Sequence, residues 1–180
     1  MGEIHTPTPV LHFCGAIFAP GIDAAALRSA LEAAFGPVGS ASPVFPFDQT
    51  AYYEREMGAG LLKIFFTFEN FIDPGDIARI KIRTNEIEAS FVSNGGPARP
   101  VNLDPGYISL SKLVLATTKD NYHRIYVRDG IYAETTLQFV GGSFSPFPWT
   151  YPDFRKKEYI DFFNTLRAGY KVKLQRPPAV

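Results

Sequence analysis

The chain has 180 residues, enough for one sizeable core and short for two, since domains commonly run about 100 to 200 residues. Eighteen basic residues balance eighteen acidic ones, so there is no global field to gather nucleic acid or an anionic membrane surface. The hydrophobic share of 46% suits a buried globular core, no apolar run approaches the roughly 20 residues that span a bilayer, and one cysteine excludes an internal disulfide and a multi-cysteine zinc site.

Val10 to Ala19 is a continuous apolar run and predicts a strand, with Cys14 inside it as a reduced, buried residue. Asp23 then caps a predicted helix whose apolar stripe is Leu27, Leu31, Ala34 and Phe35, ended by Gly36 and Pro37. Prolines between Val38 and Asp48 cannot donate to a sheet interior, so this segment reads as an edge strand or an extended loop. Leu61 to Phe71 is rich in Phe and predicts a strand; Asp73 and Pro74 then open a long helix to about Val92, stopped by Asn94, Gly95 and Gly96.

From Pro100 the pattern becomes mostly sheet, with a turn expected at Asp104, Pro105 and Gly106. Lys112 to Thr117 fits a strand or a short helix. A hairpin follows, His123 to Arg128 and Ile131 to Val140, because Asp129-Gly130 between two β-prone runs favours a two-residue turn. Prolines 146, 148 and 152 mark an aromatic loop, with Asp153 as the expected cap of a last helix carrying Tyr159, Phe162, Phe163, Leu166 and Tyr170. The expectation is a single α+β domain over residues 1–180 with loose ends at about 1–8 and 172–180. Its central sheet is largely antiparallel and packed by helices, and a ferredoxin-like core with an added C-terminal hairpin and helix is one arrangement that fits.

On the long helix, Ile77, Ile80, Ile87 and Phe91 make one face at about 100° per residue, and Lys81, Thr84 and Glu88 fall within or beside it. Burying an unpaired charge is costly, so these side chains either satisfy one another or wall a cleft, with Asn85 just outside the apolar arc. In a cleft, Lys81 would meet an anionic group and Glu88 would orient it. The two-residue turn pairs Tyr126 with Ala133 and Arg124 with Thr135 on one face, leaving His123 diagonal to Glu134 on the other as a candidate catalytic acid/base pair; a one-residue bulge would invert one strand. Asn102, Asp104, Lys119 and Arg124 complete the polar candidates, Asp104 as a turn former.

Other chemistries lack their parts. There is no Gly-Lys-Ser/Thr phosphate loop, Thr118-Lys119-Asp120 sets its aspartate one residue too early for guanine reading, and Gly58-Ala59-Gly60 lacks the third glycine of a dinucleotide fingerprint. His5, His12 and His123 are not spaced as metal ligands, no acidic cluster announces magnesium, and no Gly-x-Ser-x-Gly elbow is present, so no metal ligand is assigned and no cofactor is named.

Glu56-Met57-Gly58, Lys81 with Thr84, Asn85 and Glu88, VNLDPGY, the Lys119 to Glu134 run and WTYPD together resemble a bacterial family known as domain of unknown function 4416. The resemblance implies a bacterial, intracellular protein with no established activity and no functional residue to carry over. The expected function is binding of a small phosphate- or carboxylate-bearing ligand between the long helix and the sheet, by Lys81, Lys119 or Arg124 with Thr84, Asn85, Glu88 and Asn102. One alternative is an acid/base hydrolase or transferase using His123 and Glu134 on an anionic substrate. Another is an RNA- or protein-interaction module using the basic tail, Arg155, Lys156, Lys157, Arg167, Lys171, Lys173 and Arg176. No secretion signal opens the chain, so a cytoplasmic location is expected, with no membrane partner.

Overall fold

The computed structural model describes residues 2–50, 52–93 and 95–175. Its first strand, β1 (Val10–Phe18), is buried at every position, which places it at the centre of the molecule. Phe13 and Ile17 turn to one face of the sheet and Cys14, Ala16 and Phe18 to the other, so a strand covered on both sides reads as an unbroken apolar run. Asp23 accepts the Ala25 backbone N–H at 2.9 Å and starts α1 (Ala24–Phe35), which Gly36 ends at φ 90°.

The proline-rich segment supplies two short strands, β2 (Val38–Ala41) and β3 (Phe45–Pro46), followed by the short helix α2 (Glu54–Met57). Strand β4 (Leu62–Ile72) leads through a 3₁₀ turn at Pro74–Asp76 into α3 (Ile77–Ser90). Of the expected helix stop, Asn94 lies outside the described residues. Next come β5 (Val101–Ile108), β6 (Lys112–Thr117), β7 (Ile125–Arg128), β8 (Ile131–Val140), β9 (Ser143–Pro146) and α4 (Lys157–Gln175).

Among the described residues the strands form one antiparallel sheet in the order β2-β4-β1-β5-β6-β8-β7, with β3 added on β4 and β9 on β8. Helix α1 joins β1 to β2, α3 joins β4 to β5, and the two helices touch, the connectivity of a split βαβ unit. They cover one face of the sheet, over Cys14, Ala16, Phe18, Val101 and Leu103. The other face is closed by α4, whose Tyr159, Phe163 and Tyr170 pack with Phe13, Phe65, Leu115, Leu137 and Phe144.

Several expectations are corrected. Asp104-Pro105-Gly106 is no turn but part of β5, with Cys14 opposite Pro105 and Phe13 opposite Gly106. Its turn-forming residues serve close packing: a Cβ at Gly106 would overlap the Val114 carbonyl oxygen and come within 2.8 Å of the Phe13 ring. Pro105, which has no N–H, stands just beyond the last β5–β6 partners, Gly106 and Leu115. Lys112 to Thr117 resolves as strand because it pairs with β8 along its length and with β5 at Leu113 to Leu115.

The Asp129-Gly130 turn forms with φ of 51° and 75°, but Tyr126 pairs with Tyr132 and Ile125 with Ala133, since β7 bulges at Val127. The expected pairs Tyr126–Ala133 and Arg124–Thr135 are therefore displaced by one residue. Strand β9 replaces the start of the expected aromatic loop, its tight turn made by Gly141 and Gly142 at φ 60° and 87°. Asp153 does not cap α4; it lies in a buried 3₁₀ turn, Asp153–Arg155, and its carboxylate serves Lys63. The loose end expected from residue 172 is helical as far as Gln175, and residues 176–180 lie outside the described residues.

Candidate functional site

Strands β5 and β6 are partners only at Gly106 to Ile108; beyond that, β5 stays with β1 while β6 stays with β8. The sheet therefore parts, with Asn102 to Asp104 on one side and Ala116 and Thr117 on the other. A cavity of about 600 Å³ fills the gap. Its walls also take Lys63 from β4, Lys81 from α3, Arg99, the turn after β6, Glu134 from β8, and the loops carrying Tyr52 with Tyr53 and Tyr151 with Asp153.

Helix α3 closes the inner end. The Lys81 ammonium donates to the Leu103 carbonyl at 2.6 Å and lies 3.8 Å from Glu88 and 4.0 Å from Asp104. Glu88 is the hub of this end: it accepts the Leu103 N–H at 2.7 Å and two bonds from the Arg99 guanidinium at 2.9 and 3.2 Å. Arg99 also donates to Asn102 Oδ1 at 2.5 Å, and Asn102 Nδ2 donates to Asp104 Oδ2 at 2.7 Å. Each buried charge is thus answered, as the cost of isolating one requires. Thr84 turns its hydroxyl back to the Lys81 carbonyl at 2.8 Å, inside the helix.

At the opposite wall Glu134 accepts from Arg124 Nε at 2.7 Å, stands 3.1 Å from His123 Nε2 and receives the Thr136 hydroxyl at 3.3 Å. His123 and Arg124 precede β7, in the turn closed by the Arg124 N–H on the Asn121 carbonyl, and both reach one carboxylate. Arg124 further donates to the Lys119 carbonyl at 2.9 Å and the Tyr151 hydroxyl at 2.6 Å, while Trp149 stacks on His123 at 5.4 Å. Burial, reinforced by the Glu134 charge, pushes the Tyr151 hydroxyl up to about 12, so it stays neutral at physiological pH. Lys119 extends across the mouth to donate to the Tyr52 hydroxyl at 2.7 Å.

The model of the family described as Domain of unknown function (DUF4416) matches residues 8–170, a span that holds the whole cavity wall. The chain belongs to the DUF4416 family. No curated protein and no solved structure matches it.

Of the side chains expected in a site, this DUF4416 chain brings Lys81, Asn102, Lys119, Arg124 and Glu134 to one cavity. Four others stand behind it. Glu88 backs Lys81 and Arg99, His123 backs Glu134, Thr84 is spent within α3, and Asn85 is half-buried on α3 away from the lining. Sequence reasoning missed Lys63, Arg99 and the tyrosines, and took Asp104 for a turn former. Lys63 carried a signal, a charge two positions before Phe65 in the apolar part of a strand and therefore on the same inward face. Arg99 carried none, because what recruits it is Glu88 on another element. Among the described residues no group of three or more His, Cys, Asp or Glu is disposed to hold a metal ion, and no helix is long and apolar enough to cross a membrane.

Proposed function

We propose that this chain binds, in the cytoplasm, a small ligand bearing one phosphate or carboxylate group in the cavity between α3 and the sheet. The observation that carries the reading is Lys119. It lines the cavity and, among the described residues, has no carboxylate partner, its ammonium giving one bond to Tyr52 and keeping two N–H donors. Five cationic side chains and four carboxylates line the cavity, a near balance that disfavours a polyphosphate. The volume lies within the roughly 300 to 1,000 Å³ of ordinary ligand pockets.

The acid/base alternative has less support, since His123 stands outside the lining and the Glu134 oxygens are already engaged by three partners. The basic tail also fits a structural use. Arg155 bonds three loop carbonyls, Lys156 pairs with Asp48, Lys157 with Asp161, and Arg167 covers the Phe139 ring; Arg176 lies outside the described residues. A thermal-shift panel of phosphorylated and carboxylated metabolites tests the proposal. A ligand at 100 times its dissociation constant adds about 2.7 kcal/mol, and Lys119→Ala, at an exposed position, removes that gain without changing the unliganded midpoint. A panel in which nothing stabilises, or a gain that survives Lys119→Ala, refutes it.

A further inference from the structure

We infer that the ligand is dipolar, placing an ammonium group against Asp104 as well as its anionic group against Lys119; this rests on the binding reading above. Most charges of the cavity are settled in pairs, Lys63 with Asp153, Arg124 with Glu134 and Arg99 with Glu88. Lys119 has no carboxylate partner among the described residues, Asp104 shares Lys81 with Glu88 at 4.0 against 3.8 Å, and Asp120 is exposed to water. Asn102 occupies Asp104 Oδ2, whereas Oδ1 lies 4.0 Å from Lys81, too far for a hydrogen bond. Lys81 instead spends its short bond on the Leu103 carbonyl. The cavity thus offers one open donor group and one open carboxylate oxygen, on a side chain still 28% exposed.

Charge balance points the same way. Glu88, directly behind Lys81 and Arg99, offsets the single positive excess of the lining, so the site is neutral overall with its charges held apart. A purely anionic ligand would displace water from Asp104 and leave its oxygen without a donor, at a desolvation cost. An ammonium fills that acceptor and gains from the Tyr53 and Tyr151 rings in the same wall. The Tyr53 hydroxyl is itself pushed upward by burial and then by the Asp104 charge, which places that ring within reach of the carboxylate's field.

Titration calorimetry of the full chain with two matched pairs decides it: phosphoethanolamine against ethyl phosphate, and 4-aminobutyrate against butyrate. In wild type the amino member of at least one pair binds tighter by about tenfold, the worth of one charge-assisted hydrogen bond. Asp104→Asn, with folding checked by its melt, brings the two members level, weakening the amino member and relieving the amine-free one of the unanswered carboxylate. Equal affinities within both pairs in wild type, or a preference that persists in Asp104→Asn, overturn the dipolar ligand while the anion site stands. If none of the four binds, both readings fall together.

Discussion

Lys63 and Asp153, ninety positions apart, form an ion pair whose side chains are 2% and 8% exposed. The ammonium sits 4.5 Å from the centre of the Phe154 ring and 5.2 Å from that of Phe65, so the pair joins β4 to the turn before α4 inside an aromatic shell. Removing one partner strands a charge, whereas removing both does not. Asp153→Ala is expected to cost about 3 to 5 kcal/mol, and the double replacement Lys63→Met with Asp153→Leu to recover most of it. Urea denaturation of the two variants beside wild type measures the difference.

Glu88 ties α3 to the start of β5 and holds both cations at the inner end of the cavity. Glu88→Ala leaves Lys81 and Arg99 with only the 4.0 Å carboxylate contacts to Asp104 and Glu56, with an expected loss of about 3 kcal/mol by chemical denaturation. Any ligand affinity assigned to Lys81 should fall as well, although Glu88 lies outside the lining. Glu88→Gln keeps the acceptor for Leu103 and should fall between the two.

His12 is 1% exposed in β1, stacked 4.4 Å from Phe68, with its Nε2 unpartnered. Burial lowers its pKa from 6.5 to about 3, so the unfolded chain binds the extra proton between those values. Stability therefore falls as pH drops through that window, by about 1.4 kcal/mol per pH unit from this group. His12→Phe should flatten the slope between pH 6.5 and 4.5, read as the difference between urea-unfolding free energies of the two proteins.

Two glycines separate packing from conformational freedom. Gly106→Ala drives a methyl group into the Val114 carbonyl and the Phe13 ring, and should cost several kcal/mol or prevent folding. Gly169, exposed in α4 with open space around its Cβ position, should do the opposite. Gly169→Ala is expected to stabilise by about 1 kcal/mol, read from the shift in thermal midpoint.

What could be read from residues alone was whatever local physics decides. The apolar run of β1, the Asp23 and Gly36 ends of α1, and the Asp129-Gly130 turn each depend on a few neighbouring residues, and each stands where its pattern puts it. The polar stripe of α3 was legible too, because a charge at helical spacing among isoleucines has to be answered by something. What answers it is long-range. Only pairing with β1 makes a strand of Asp104-Pro105-Gly106, only the turn before β7 adds Arg124 to the expected meeting of His123 with Glu134, and only the parting of β5 from β6 opens the cavity. The residues that meet there come from segments spread from Ile17 to Phe154. Their meeting follows from strand order and register, which one-dimensional spacing does not carry.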